Sequence, residues 1–255
     1  MSYNGKKLMT VEEGRILLET VDKKTTYVTP EMFGAVGDGN TDDTTAVQNA
    51  INYGETNSKA VRGFNEYKTT STIVISGNYL DIKIADIHYM GEGYAVSVSG
   101  SYNSVAINVL YCSNGKGLLM KRTSSTNCRA NRITMNRLYA KGHAVDFETN
   151  NNFLLYNTFD IRYIKSDTGD CYHCDDYVGE NVFMNSSCSC ENGWAIYKAN
   201  GRFYNFTLEA DVLNGIYISG DSSIFTGFRI REMVDKLVAR INGHSPDDQG
   251  GTLIK

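Results

Sequence analysis

From about residue 70 to 232, apolar residues recur two apart in short runs. The pairs are Leu80/Ile82, Val105/Ile107, Ile133/Met135, Phe159/Ile161, Phe206/Leu208 and Phe228/Ile230, with Phe183 followed by the polar Asn185. Period-two alternation predicts strands that bury one face. Between these runs a glycine heads a second apolar run. Gly93, Gly117, Gly142, Gly169, Gly193 and Gly215 stand 24, 25, 27, 24 and 22 residues apart. The third residue after each is Val96, Met120, Val145, Tyr172, Ile196 or Ile218, and these are expected to stack inward. A fixed period in this range signals a solenoid. The pattern predicts about seven rungs, each advancing ~4.8 Å along the axis. Asn103, Asn131, Asn157 and Asn181 each precede a strand by two residues. Asparagines at such corners satisfy nearby backbone groups and tolerate left-handed angles.

An open solenoid end exposes a sheet edge and needs a cover. Thr29 to Gly54 reads as a short strand at Met32–Phe33, a loop with Gly34, Gly37 and Gly39, and an amphipathic helix near 43–53. Asp42 and Asp43 start that helix, Val47, Ala50 and Ile51 form its apolar face, and Gly54 stops it. Val234, Leu237, Val238 and Ile241 have helical spacing, so a second cover is expected near 232–242. Thr10 and Glu13 form a capping box ahead of Ile16, Leu17, Leu18 and Val21. The expected organisation is an N-terminal docking arm or extension at 1–28, a helix-capped solenoid at 29–242, and a polar tail at 243–255.

The same stretch resembles the N-terminal signature of the pectate-lyase-like right-handed β-helix superfamily. Its parts stand here as Phe33-Gly34-Ala35, Gly37-Asp38-Gly39, Thr41-Asp42-Asp43-Thr44 and Ala46-Val47-Gln48. The resemblance implies an all-β, right-handed parallel β-helix with an N-terminal capping helix. It also implies aspartates with structural rather than catalytic roles. Many members of that superfamily are bacteriophage tail spikes and capsule depolymerases, and others degrade pectin. The expected role is therefore a tail-spike-like virion protein that recognises host surface polysaccharide. A homotrimer is implied, with contacts to other virion proteins through the N-terminal segment.

Composition narrows the partners. The 255 residues carry a net charge of −4 with no basic run, which argues against nucleic acid. No segment is long and apolar enough to span a membrane. The start MSYNGKKLMT lacks the apolar core of a signal peptide, which fits assembly in a host cytoplasm and a place on the virion. Six cysteines include Cys171-x2-Cys174 and Cys188-x-Cys190, a spacing open to zinc. Cys171, however, shares a column with Ala95, Ala144 and Ala195, so packing is the expected role, and no cofactor or metal is assigned.

Candidate chemistry follows from outward columns. Aligning Phe159, Phe183, Phe206 and Phe228 groups Asp160 with Arg229 and Arg162 with Glu209 and Arg231, and puts Asp211 two residues beyond Glu209. Glu209, Asp211 and Asp160 are candidate catalytic carboxylates, since paired carboxyl groups carry out glycoside hydrolysis. Arg162, Arg229, Arg231 and Trp194 are candidate substrate-binding residues, the arginines for uronate groups and Trp194 for sugar stacking. An ion pair between Glu209 and Arg231 competes with that reading. Asp167, Asp170, Asp175, Asp176 and Glu180 crowd the longest rung, where a solvated acidic loop is favoured over a cation. His143 aligns with Asp170 and is expected to be structural. Three classes stay open: a glycan-binding spike, a depolymerase (lyase or hydrolase), and a capsid or tail decoration protein.

Overall fold

A computed structural model describes residues 2–3, 6–7, 26–123, 127–149, 154–209, 214–218, 223–227, 229–230 and 239–241. Ser2–Tyr3 pairs antiparallel with Lys6–Lys7. The remaining strands form one 19-stranded parallel array wound as a β-helix of about seven turns. Each full turn has three faces. Long strands such as Asp81–Tyr89, Ser104–Cys112, Arg132–Ala140 and Thr158–Ser166 bend midway and supply the first and second faces. Ile73–Ile75, Tyr94–Val98, Lys116–Lys121 and Val145–Glu148 supply the third.

Inward positions stack in columns. On the first face Ile82, Val105, Ile133, Phe159, Phe183, Phe203 and Phe225 are in register. The last four rings lie nearly parallel at 5.2, 4.6 and 4.6 Å between centroids. This register corrects the alignment expected from sequence. Phe203 and Phe225 hold the positions expected for Phe206 and Phe228, because Trp194–Tyr204 runs from the third face to the first as one strand and shortens that turn; Phe228 itself lies outside the described residues. Ile82/Ile84 is the pair in register with Val105/Ile107, while Leu80, also buried, lies level with the asparagine corner. On the third face Leu118 and Ile216 take the places expected for Met120 and Ile218.

The corner into the first face is an asparagine ladder. The side-chain oxygens of Asn103, Asn131, Asn157 and Asn181 accept the backbone N–H of Leu80, Asn103, Asn131 and Asn157 respectively, at 2.9–3.0 Å. Their amide nitrogens donate to the carbonyls of Gly77, Gly100, Cys128 and Leu154. All four side chains are buried. The left-handed residue is the one before each asparagine: Tyr102, Ala130, Tyr156 and Glu180 have φ of 54–61°.

At the N-terminal end, Pro30–Phe33 is a 3-10 turn where a strand was expected. The helix α1 spans Thr44–Asn57 and buries Ala46, Val47, Ala50 and Ile51 against the first turn. It runs past Gly54 to a left-handed Ser58. Gly54 packs against the chain that follows, where a Cβ would sit 2.8 Å from the Lys59 carbonyl. Asp43 ties the loop down by accepting the N–H groups of Val36 and Gly37 at 2.7 and 2.9 Å. At the other end, Ala239–Ile241 is a strand parallel to 216–218, so the expected helix does not reach those residues, and 231–238 lie outside the described residues. The Thr10–Glu13 capping box lies outside them too.

Candidate functional site

The outward side of the third face gathers the chemistry. The fourth residue after three repeat glycines forms one column, Asp146, His173 and Tyr197, with Leu119 before it. The first residue after each glycine supplies His143, Asp170 and Trp194 beside it. Lys116 pairs with Tyr94 across the preceding rungs. Parallel pairing thus sets side chains from residues 94 to 197 on successive rungs.

Two linked clusters result. In the first, the Tyr94 hydroxyl donates to Asp146 Oδ2 at 2.5 Å, and Lys116 Nζ donates to that hydroxyl at 3.1 Å. Lys116 Nζ is also 3.7 Å from Asp146 Oδ2, whose side chain is 12% exposed. In the second, Asp170 Oδ1 accepts the backbone N–H of Trp194 at 2.6 Å and Oδ2 accepts from His173 Nδ1 at 2.5 Å. The Asp170 N–H donates to His143 Nδ1 at 3.0 Å. An ionised Asp170 only accepts, so the His173 proton is on Nδ1. His143 accepts at Nδ1, so its neutral form carries the proton on Nε2.

The two imidazoles stack at 3.9 Å and 23°, and Tyr197 continues the stack below His173 at 5.1 Å and 7°. Burial first, then the charge of His173 and of Lys116, push the His143 imidazole below its usual range, against the pull of Asp146 and Asp170. The histidine is therefore neutral near pH 7, set within electrostatic reach of two carboxylates and an ammonium. Groups of this kind exchange protons with a bound sugar, and the flat rings of Tyr197 and Trp194 (6.4 Å apart) suit pyranose faces.

His143, Asp170 and His173 also present possible metal ligands within 4.8 Å of one another. Both Nδ1 atoms already serve hydrogen bonds, so a cation at those atoms would have to replace them. The triad is a self-satisfied polar unit.

Of the residues expected from sequence, Trp194 lies in this cluster. Asp160 is on the first face in register with Met184, and accepts from Asn185 Nδ2 at 3.1 Å. Glu209 follows the second-face strand Thr207–Leu208 and accepts a hydrogen bond from Ser187 Oγ. The register thus separates Asp160 from Glu209, and pairs Arg229 with Thr207 rather than placing it beside Asp160. Arg162 and Arg229 are exposed, Arg162 at the corner between the first two faces. Asp211 and Arg231 lie outside the described residues. The sequence reading did not select Asp146, Asp170, His173 or Lys116 as site residues. Following the fourth position after each glycine, rather than the third, would have exposed Asp146 and His173.

The six cysteines are buried and free. Burial pushes the Cys128 thiol up to about 12 and raises those of Cys112, Cys171 and Cys188.

A second concave feature lies where the first face turns into the second. It is a groove of about 440 Å³ lined by Arg62, Phe64, Lys83, Ala85, Ala106, Asn108, Thr134 and Asn136 among others.

No protein-family model matches the chain. Over 55 residues, 22% of this chain and 7% of the relative, it is 49% identical to the capsule K30/K69-specific depolymerase of Klebsiella phage K64-1. The chain thus spans a small part of that relative's length. Among solved structures, ORF18 of Geobacillus virus E2 superposes with a TM-score of 0.55 at 16% identity, over 89% of this chain and 58% of that one. That likeness is one of fold.

Proposed function

We propose that this chain is a tail-spike-like phage protein of the pectate-lyase-like β-helix type, which recognises bacterial surface polysaccharide on its third face. The observation that carries the reading is the convergence of Asp146, Asp170, His143, Lys116 and a ledge of Tyr197 and Trp194 on adjacent rungs. A linear polymer meets such a row along the solenoid axis, where one rung after another offers contacts at ~4.8 Å steps. The 49%-identical stretch shared with a phage capsule depolymerase supports the ligand class. A homotrimer attached through the N-terminal segment completes the reading, and light scattering of the purified protein tests it.

Turnover is the stronger form of the same proposal. The specific support is a neutral imidazole beside two buried carboxylates, Asp146 and Asp170, and a lysine-bound phenol. The test is incubation with a panel of capsular polysaccharides, reading binding, new reducing ends and the ultraviolet absorbance of unsaturated sugars. Binding without new ends indicates a receptor-binding spike. New ends without absorbance indicate a hydrolase, and both together a lyase. Absence of binding across a panel that includes the host's capsule overturns the proposal in favour of a decoration protein.

A further inference from the structure

The groove at the corner of the first and second faces is built by a β-bulge. Gly63 pairs with Ile84 and Glu66 with Asp86, so the outer strand takes three steps where its partner takes two. A bulge re-aims a side chain, and here Phe64 is thrown outward to 66% exposure. The site is held by its support. A Cβ on Gly63 would meet the ring of buried Tyr67 at 2.7 Å, and the Tyr67 hydroxyl donates to Glu31 Oε1 at 2.5 Å. Phe64 is one of several exposed aromatics, and its edge meets Tyr27 at 6.3 Å between centroids; what distinguishes it is that it lines a groove.

Opposite Phe64 the floor falls away, because the next positions along two columns are Ala85 and Ala106. The far wall is amide: Asn136 Nδ2 donates to Asn108 Oδ1 at 2.6 Å, and Asn108 Nδ2 to Asp86 Oδ1 at 2.9 Å. Two cations line the groove. Arg62 is committed to Asp81, through its side chain and its carbonyl. Lys83 is exposed and has no ion-pair partner among the described residues. Lys83 and Phe64 thus line one groove, an ammonium and an aromatic ring, with the amides of Asn108 and Asn136.

Given the polysaccharide reading above, on which this rests for its ligand class, we infer that the groove is a separate subsite for one carboxylate-bearing sugar of the polymer. Its ring lies on Phe64, its carboxylate on the Lys83 ammonium, and its hydroxyls meet the Asn108–Asn136 amides. The pyranose C–H groups match the apolar ring and the small alanine floor. The carboxylate supplies the counter-charge to the Lys83 ammonium. The subsite positions the polymer and has no catalytic part.

The test uses a uronic-acid trisaccharide and its carboxyl-reduced counterpart as probes, followed by backbone NMR shifts and calorimetry. Expected are shifts at residues 62–64, 83–85 and 106–108, and at least tenfold weaker binding of the reduced sugar. Lys83→Gln removes most of that preference, and Phe64→Ala weakens both probes. Both changes are on the surface, and unchanged thermal melting shows that the fold is intact. Equal binding of the two sugars, or shifts confined to the third face, overturns the subsite and leaves the proposed function standing. Polymer binding that is lost in Trp194→Ala but unchanged in Lys83→Gln and Phe64→Ala overturns it in the same way. If no polymer and neither sugar binds, both readings fall.

Discussion

Asn131 gives both its backbone N–H and its side-chain amide to a single atom, Oδ1 of Asn157, at 3.0 Å each. Asn157 repeats the arrangement with Asn181 at 2.9 and 3.1 Å. Each turn is thereby tied to the next at a corner where backbone groups would otherwise be buried unpaired. Asn157→Ala removes an acceptor for two donors and a donor for the Cys128 carbonyl. A buried donor left unsatisfied costs about 1–3 kcal/mol, so the variant is expected to lose at least that much. Asn157→Asp is expected to lose more, since it buries a charge and removes the amide donors. Urea denaturation checks both. A loss below about 0.5 kcal/mol for Asn157→Ala would mean that water replaces the ladder.

The ladder was legible in the sequence, since its asparagines stand at a constant offset from each strand. The register further along was not. Phe206 and Phe228 keep a period near that of the earlier rungs, and a constant-period alignment selects them. The protein instead drops a loop at the corner before Gly201, so Phe203 and Phe225 take the column. Asp160 keeps the expected register with Met184 on the first face, but the candidates placed through Phe206 and Phe228 moved: Glu209 and Arg229 sit on the second face. The third-face cluster depends on pairings between rungs 22 to 52 residues apart, such as Tyr94 with Asp146. Local spacing carries little of that information.

Phe183 lies between Phe159 and Phe203, stacked on both sides and buried. Phe183→Ala leaves a cavity in the middle of a column and is expected to cost about 3–5 kcal/mol. Phe183→Leu keeps most of the volume and is expected to cost less than half as much. Chemical denaturation of the two variants separates burial from ring stacking, which contributes about 0.5–1.5 kcal/mol per pair.

Stability should depend on His143 in acid. Its folded-state pKa is lowered by burial and by His173, so the unfolded chain binds the proton more readily. The contribution is complete above the unfolded value of about 6.5 and is lost as pH falls through the lower folded value. Protonation also breaks the bond from the Asp170 N–H to Nδ1 and puts a positive charge against the stacked His173 ring. His143→Asn retains an acceptor near the Nδ1 position and cannot titrate. The wild type is expected to lose urea resistance on that descent, and the variant to lose measurably less. Parallel slopes in the two proteins would contradict the assignment.

The thiols offer a test of the interior. Cys128 is 1% exposed with its pKa pushed up to about 12, and Cys171 and Cys188 are completely buried. The thiolate is the reactive form, so a native sample is expected to leave these cysteines unlabelled by a thiol reagent, and a denatured sample to label all six. Rapid labelling of Cys171 or Cys188 in the native protein would show that the turns near residues 171–190 open.

The carboxylates decide between the faces. Asp160 and Glu209 are each held by a neighbour, Asn185 and Ser187, and the register puts them on different faces. An acid and base flanking one glycosidic bond must be ~5–10 Å apart and face the same bond, so this pair is not expected to act together. Asp146 and Asp170 both bear on His143, beside Lys116 and Tyr94. Asp146→Asn keeps the size of the side chain but weakens its hold on Tyr94 and Lys116. It is expected to reduce polysaccharide binding, or turnover where present, at least tenfold. Asp160→Asn and Glu209→Gln are each expected to stay within about twofold of wild type, a change of ~0.4 kcal/mol. Binding isotherms on a capsular polymer, with melting curves for all three, read the outcome. Loss in Glu209→Gln with Asp146→Asn unaffected would move the site to the second face.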